Sequence, residues 1–237
     1  MRRLLTLIFL SLSIVVAAQS CSEEPDLYNL KRYASANQML RVAPDVVFIG
    51  NSITDHWYRD HAAFFHKHNI AGRGISGQTS GQIRGRFVAD VVELHPKAVV
   101  ILAGINDLAH NAGWVDPDGV FDNIRAMCIR AIAAGITPFI ASITPADHIA
   151  WNPSITGVAD DVRALNKRLR EYATAAGIGY VDYYSALDTD GDGAMDPGLS
   201  DDGLHPLPDT YTIMESIVLP HLAPYLSTPT DISSSVE

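Results

Sequence analysis

The residues of this chain best suited to chemistry are a serine, a glycine, an asparagine and an Asp-x-x-His pair. Ser52, Gly77 and Asn106 each follow a separate apolar segment, and Asp202 stands three residues before His205. Acyl transfer needs a nucleophile, a base, a carboxylate that orients the base, and hydrogen-bond donors for the tetrahedral oxyanion. The five residues together supply these groups.

Ser52 by itself allows two interpretations. It follows the apolar run 46–49 and lies within Gly50-Asn51-Ser52-Ile53, which is typical of a buried strand that enters a tight turn. A hydroxyl at the carboxyl end of a parallel strand lies where open α/β sheets bind ligands, so Ser52 can be a nucleophile. Serine is also favoured at helix starts, where its side chain caps the first turn. The other reactive residues favour the nucleophile.

Short apolar segments alternate with segments of helical periodicity along the body of the chain. The predicted strands are residues 45–49, 70–75, 98–103, 137–143 and 179–182. Two of the helical faces predicted to be buried carry Ile83, Phe87 and Val91, and Ile213, Ile217 and Leu219. The alternation predicts βαβ crossovers and an α/β fold, a three-layer α/β/α sandwich around a five-stranded parallel sheet. The reactive residues would then meet at the carboxyl ends of the strands.

The composition describes a protein with a core and an acidic surface. The chain has 237 residues, of which 47% are hydrophobic and 19% charged, and its formal net charge is -10. Removal of the first 20 residues takes away two arginines and no acids, which makes the charge -12. This charge argues against a nucleic-acid partner, because binding to phosphates depends on Lys and Arg.

The first 20 residues are predicted to be an export signal. Two arginines precede an apolar core at 4–18, which is short for a membrane span of ~20 residues. Cleavage either follows Ala18 or leaves Cys21 as a lipidated amino terminus, since residues 18–21 resemble a bacterial lipobox. The other cysteine, Cys128, lies in a helical pattern and is predicted to be buried. An exported chain without a disulfide framework favours a lipid anchor at Cys21, and otherwise a periplasmic or secreted protein.

Two further segments flank the predicted domain at 45–226. The leader at 21–44 is expected to form a short amphipathic helix that packs on the domain through Leu27, Leu30, Tyr33 and Leu40. The tail at 227–237 is rich in Ser, Thr and Pro and is expected to be frayed.

The chain resembles the SGNH or GDSL family of hydrolases, whose four short blocks all appear in order between about residues 45 and 222. The matching segments are Gly50-Asn51-Ser52-Ile53, Gly77 within 74–79, Gly104-Ile105-Asn106-Asp107 and Asp202-Gly203-Leu204-His205. The resemblance implies a flavodoxin-like sheet order. The α/β-hydrolase motif Gly-x-Ser-x-Gly does not fit, because Ile53-Thr54 follows Ser52.

The resemblance also implies roles for the five residues. Ser52 would attack an ester carbonyl, His205 would take and return its proton, and Asp202 would orient the imidazole. The oxyanion hole would consist of the backbone N–H groups of Ser52 and Gly77 and the side-chain amide of Asn106. Asn51 stands where the family has aspartate, and its effect on Ser52 stays open.

Other features outside the four blocks allow binding interpretations. Asp188, Asp190 and Asp192 match the first half of a calcium-binding loop, but Leu199 replaces the bidentate glutamate, so an acidic loop without a metal is the favoured interpretation. Trp114, His148 and Trp151 lie in loops after the third and fourth strands and are predicted to contact substrate.

The expected function is that of an exported serine esterase that removes short acyl groups, acetyl in the first place, from carbohydrates. A lysophospholipase or broad lipid esterase is the alternative enzyme, and a non-catalytic surface glycan-binding protein is the alternative outside enzymes. The expected partner is an acylated small molecule or glycan, with membrane contact only through the lipid anchor. The mechanism requires no cofactor.

Overall fold

The computed structural model describes residues 26–227. The predicted signal peptide, Cys21, the start of the leader and the tail beyond residue 227 lie outside the described residues. None of the described helices is both long and apolar enough to cross a membrane.

Five parallel strands form one sheet in the described part of the chain. They are β1 (Val46–Gly50), β2 (Ile70–Gly74), β3 (Ala98–Leu102), β4 (Thr137–Ala141) and β5 (Gly179–Val181). The strand order is β2-β1-β3-β4-β5, the flavodoxin-like order in which ligands bind where the order reverses, beside β1 and β3. The strands are largely buried because helices cover both faces of the sheet. The predicted fold is confirmed.

Helices connect the strands and flank the sheet. They are α1 (Lys31–Gln38), α2 (Ser52–Asp60), α3 (Ala62–Lys67), α4 (Ser80–Asp90), α5 (Ile105–Leu108), α6 (Pro117–Ala133), α7 (Val158–Ala176), α8 (Tyr184–Leu187) and α9 (Pro208–Leu222). The buried face predicted around Ile83 and Phe87 is confirmed in α4. Cys128 is also buried in α6, and burial raises the pKa of its thiol to about 12.

The predicted inward face of α9 is only partly right: Ile217 and Leu219 are half-buried and Ile217 packs against the core, but Ile213 does not face inward. Tyr211, Met214 and Val218 are fully buried, whereas Ile213 is 36% exposed. The helix carries apolar residues on several sides, so its periodicity alone does not identify the side that faces the sheet. Contact with α2 identifies it, because the ring of Tyr211 stacks on Trp57 with centroids 5.3 Å apart.

An aromatic cluster holds α2 in place. Trp57 is 1% exposed and packs edge-on against Phe48 of β1 at 5.3 Å, on top of its contact with Tyr211. The hydroxyl of Tyr211 donates to the carbonyl of Ile53 at 2.9 Å, so α9 is bonded to the first turn of α2. Aromatic pairs of this geometry stabilise beyond the area they bury. The cluster therefore determines where the residue that begins α2, Ser52, stands.

The leader packs on the domain through fewer side chains than expected. Tyr33 is the buried residue of α1, and its hydroxyl donates to the carbonyl of Gly74 at the end of β2. Leu27, Leu30 and Leu40, predicted to pack inward, are exposed. The predicted short helix and the inward position of Tyr33 are therefore confirmed, whereas the predicted inward positions of the three leucines are wrong.

A buried arginine bonds the carboxyl end of β1 to α4. The guanidinium of Arg86 is 0% exposed and donates to Gln78 Oε1 at 2.6 Å, Asp90 Oδ2 at 2.9 Å and the carbonyl of Gly50 at 2.9 Å. Three planar donors thus meet three acceptors, which satisfies a charge that would otherwise be costly to bury. The segment after β2, which contains Gln78, is thereby attached to the end of β1.

Candidate active site

The turn between β1 and α2 places Ser52 at the first position of the helix. A side chain on Gly50 would collide with Thr54 and with the carbonyl oxygen of Leu102, so only glycine allows the strands and helix to approach this closely. The side-chain oxygen of Asn51 accepts from the backbone N–H of Ile53 at 3.1 Å. The helix cap is therefore Asn51 and not Ser52, and the Ser52 hydroxyl is left for another partner.

That partner is His205. The Oγ atom of Ser52 lies 2.8 Å from His205 Nε2, and His205 Nδ1 lies 2.6 Å from Asp202 Oδ2. Because a carboxylate only accepts, Nδ1 carries the ring proton and Nε2 is free to accept from the serine hydroxyl. The predicted Ser-His-Asp set is brought together in the order that acyl transfer requires.

Asp202 is held as an anion by several donors. Burial alone would raise its pKa, but hydrogen bonds from the side chain and backbone N–H of His205 and from the backbone N–H of Leu204 outweigh burial. The net result is a pKa far below the usual range of an aspartate. Oδ1 also accepts from the hydroxyl of Ser200 at 3.1 Å. A carboxylate that stays ionised can hold the same imidazole tautomer over a wide pH range.

Two glycines shape the backbone of the loops that follow β2 and β3. Gly77 has φ +80° and Gly104 has φ +129°, both in the left-handed region that favours glycine. A side chain at Gly77 would meet no protein atom within 4 Å, so the space beside its Cα atom is open. A side chain at Gly104 would clash with Ile143. Glycine at 77 is thus required by its backbone conformation.

Asn106 is 2% exposed and begins α5 together with its neighbours. Its Nδ2 donates to the carbonyl of Gln78 at 3.0 Å, and its Oδ1 accepts from Asn111 Nδ2 at 3.0 Å. Asp107 has a structural role: its carboxylate accepts from the backbone N–H and the hydroxyl of Ser80, both at 2.7 Å. Burial raises the pKa of Asp107. The loops after β2 and β3 are thereby joined beside Asn106.

Sequence reasoning missed two residues at this site. His56 lies one turn after Ser52 on α2, and its ring centroid is 5.2 Å from that of His205. Burial, followed by the nearby Arg59 and His205, lowers the pKa of His56, so the neutral ring is favoured. Its i,i+4 spacing from Ser52 was the available signal. The other residue is Asn111, for which no local pattern gave a signal.

The three predicted contact residues do not share one location. The Trp151 ring lies 6.2 Å from the His205 ring, and its Nε1 donates to Asn111 Oδ1 at 2.9 Å. His148 packs over Gly203, next to the Asp-His pair. Trp114 is 70% exposed in the loop before α6. Trp151 and His148 therefore border the site directly.

The acidic loop brings together a different set of carboxylates from the one predicted. Asp188, Asp190 and Asp196 have ligand atoms within 4.8 Å of one another, whereas Asp192 is not in the group. Asp188 already accepts from two backbone N–H groups, and Asp196 accepts from Thr189. Asp188 is buried, Asp190 is exposed and Asp196 is half-buried, and such an acidic cluster does not by itself make a metal site.

The site joins a serine hydroxyl, an imidazole and a carboxylate in this order, and it lies at the switch point of a parallel sheet. This arrangement defines a hydrolase of the serine type with an α/β fold. The model of the GDSL-like lipase/acylhydrolase family matches residues 48–213. The chain belongs to this family, and it is accordingly an ester hydrolase.

Solved structures agree with this assignment. An acylhydrolase candidate from Bacteroides fragilis is 40% identical, with a TM-score of 0.81 over 84% of this chain and 98% of that chain. A GDSL-like lipase from Bacteroides thetaiotaomicron is 39% identical, with the same TM-score and coverage. An acetylxylan esterase from Geobacillus stearothermophilus shares the fold at 17% identity, with a TM-score of 0.62 over 76% of this chain and 94% of that chain. The comparison with curated proteins finds no match.

Proposed function

We propose that this protein is an exported serine esterase that hydrolyses short acyl esters, acetyl in the first place, on carbohydrates. The observation that carries the proposal is the pair of hydrogen bonds that joins Ser52 Oγ to His205 Nε2 at 2.8 Å and His205 Nδ1 to Asp202 Oδ2 at 2.6 Å. A nucleophile, a general base and an orienting carboxylate are thus within direct reach of one another.

In the proposed reaction, Ser52 Oγ attacks the ester carbonyl carbon while His205 Nε2 takes the hydroxyl proton. The oxyanion receives hydrogen bonds from the N–H groups of Ser52 and Gly77 and from Asn106 Nδ2. The tetrahedral intermediate collapses, and His205 gives its proton to the departing alcohol. A water molecule, deprotonated by His205, then attacks the acyl-enzyme. The second tetrahedral intermediate collapses as His205 gives this proton to Ser52 Oγ, which releases the acid and restores the free serine. Asp202 stabilises the imidazolium in both halves of the reaction.

The preference for small acyl groups on sugars rests on the exposure of the site. The side chain of Asp202 is 42% exposed and that of His205 is 24% exposed, while Trp151 is 46% exposed beside them. A hydrated rim with an aromatic ring suits a polar alcohol that stacks on the ring better than a long acyl chain. The acetylxylan esterases that share this fold make acetylated glycans the first substrates to try.

Hydrolysis of an aryl acetate tests the mechanism. We expect activity in the wild type and none above background in Ser52→Ala, with Ser216→Ala, an exposed serine on α9, as the matched control. Equal activity in Ser52→Ala and the wild type would show that Ser52 is not the nucleophile. An inactive wild type across all esters would favour the non-catalytic glycan-binding alternative.

A lipid esterase is the second candidate, and the name of the 39% identical GDSL-like lipase favours it. An ester series from acetyl to decanoyl separates the two. Under the first proposal kcat/KM is highest for acetyl, because the open site offers little apolar surface to a longer chain. A maximum at the long esters would replace the first proposal by the second.

Export and anchoring through Cys21 complete the proposal. The lipobox-like segment 18–21 and the burial of Cys128 support it, since Cys128 is then not available for a disulfide. Palmitate labelling should be lost in Cys21→Ser and retained in Cys128→Ala. Unchanged release of wild type and Cys21→Ser into the medium would refute the anchor.

A further inference from the structure

A series of side-chain hydrogen bonds runs from the indole of Trp151, beside His205, to the carboxamide of Asn106. We propose that Asn111 and Trp151 are positioning residues that orient the carboxamide of Asn106, so that its N–H group and not its oxygen faces the oxyanion. The inference rests on the proposed function, because it concerns the oxyanion hole of that same reaction.

Three bonds make up the series. Trp151 Nε1 donates to Asn111 Oδ1 at 2.9 Å, and Asn111 Nδ2 donates to Asn106 Oδ1 at 3.0 Å. Asn106 Nδ2 then donates to the carbonyl of Gln78 at 3.0 Å. The Asn111 amide also reaches the carbonyl of Gly77 at 3.3 Å, so one side chain contacts two proposed parts of the oxyanion hole.

The chemistry of the two ends gives the series one direction. An indole N–H can only donate, and a backbone carbonyl can only accept. Each carboxamide in between has one accepting and one donating side. Because Trp151 must donate, Asn111 turns its oxygen towards the indole and its nitrogen towards Asn106. Asn106 must then present its oxygen to Asn111 and its nitrogen to the other side.

The direction matters because a carboxamide turned by half a revolution has nearly the same shape and the opposite polarity. With the observed orientation, one N–H of Asn106 is bonded to Gln78, and the other is left for the oxyanion. With the reverse orientation, an oxygen would stand next to the negative charge that develops in the transition state. Loss of one donor of an oxyanion hole typically lowers kcat about 10²- to 10³-fold.

The size of the loss in kcat depends on how exposed the hydrogen-bonded side chains are to solvent. Asn106 is buried, but Asn111 is exposed and Trp151 is 46% exposed, so water can replace part of a lost bond. The carbonyl of Gln78, which accepts from Asn106 Nδ2, still favours the observed orientation of Asn106 when Asn111 is removed. We therefore expect a loss in kcat of about three- to tenfold on removal of Asn111, as for a solvent-accessible hydrogen bond.

The test measures how Asn111→Leu changes kcat for an aryl acetate, once in the wild type and once in an Asn106→Ala background. Leucine has a similar volume and neither donates nor accepts. We expect kcat to fall about three- to tenfold with KM nearly unchanged, since the oxyanion exists only in the transition state. In Asn106→Ala the same substitution should change kcat by less than about twofold, because the group it orients is absent. Trp151→Phe keeps a ring on His205 and should give a smaller loss that is not additive with that of Asn111→Leu.

The matched control is Asn152→Leu, which removes a bond from Asn152 Nδ2 to the carbonyl of Ala109 next to the same loop. Its kcat should stay within about twofold of the wild type, with melting temperatures measured for every variant. An equal loss in this control, or a loss from Asn111→Leu that persists in Asn106→Ala, would overturn the inference in favour of loop stability.

If the wild type acts through Ser52 and Asn111→Leu retains full kcat, the inference alone fails. Activity that survives in Ser52→Ala overturns both proposals.

Discussion

The substitution Asp202→Asn tests which ring nitrogen of His205 carries the proton in the proposed triad. The Asp202 carboxylate accepts from His205 Nδ1 at 2.6 Å, and its other oxygen accepts from the backbone N–H groups of Leu204 at 3.0 Å and His205 at 2.7 Å. In the variant, the asparagine oxygen keeps the two backbone donors, so its NH₂ group faces His205 Nδ1. That nitrogen must then accept, and the ring proton moves to Nε2.

The size of the loss follows from this change of tautomer. With a proton on Nε2, His205 donates to Ser52 Oγ and cannot take its proton. In a buried triad the same change lowers kcat about 10⁴-fold. The Asp202 side chain is 42% exposed, and water can partly stabilise the productive tautomer. We therefore expect a loss nearer to about 10³-fold in kcat, with KM little changed.

The assay is the steady-state hydrolysis of an aryl acetate at saturating concentration, with circular dichroism to verify folding. The neighbouring Asp201→Asn is the matched control, since it makes the same change at an exposed carboxylate and should leave kcat as it is. An Asp202→Asn enzyme within about tenfold of the wild type would refute the reasoning, because a reversed tautomer does not permit such activity.

Three further predictions concern stability, measured by urea unfolding. Asn51→Ala removes the cap of α2 and should lower the free energy of unfolding by about 1 kcal/mol. Asp90→Ala leaves the fully buried Arg86 without its counter-ion and should cost about 3–5 kcal/mol. Burial alone would raise the pKa of Asp45, but hydrogen bonds from Lys97 and from the backbone N–H and hydroxyl of Ser227 outweigh burial and lower the pKa. The stabilisation is present above about pH 4, the unfolded value, and is lost as the pH falls through the lower folded pKa.

Each of these predictions has a control. Asn51→Asp keeps an accepting oxygen and should retain the stability that Asn51→Ala loses; equal losses would argue against the cap. Asp122→Ala breaks an exposed pair with Arg125 and should cost less than about 1 kcal/mol. The gap in stability between the wild type and Asp45→Asn should narrow towards acid pH, and a constant gap would contradict the role of the charge.

The strands and the α4 face were predictable because they depend on local periodicity. Strands of buried apolar residues bounded by polar turns, and the spacing of Ile83 and Phe87, are visible in the sequence itself. The inward side of α9 was not predictable, because that helix is apolar on several sides and only its contact with Trp57 selects Tyr211. The contacts of the leader were not predictable either. Its leucines have the spacing expected of a buried helix face, but in the structure they are exposed.

The candidate site also contains residues that the sequence predicts and residues that it does not. The residue types of Ser52, Asp202 and His205 and their positions after strands could be read from the chain. The cap at Asn51 could not, because serine and asparagine are both suited to that position and the φ and ψ angles of the turn decide between them. Asn111 could not be found either, because two of its partners, Gly77 and Trp151, lie 34 and 40 residues away in the chain.

The sequence by itself determined which residues can react and which segments form the strands that present them, since motifs and periodicities are local properties of the chain. Only the tertiary structure decided that Ser52 meets His205, 153 residues away, at 2.8 Å. It also decided that Asn51 caps the helix and in which direction the amide of Asn106 is turned. The physical reason is that these features depend on hydrogen bonds between loops that folding brings together, and on backbone angles that packing selects.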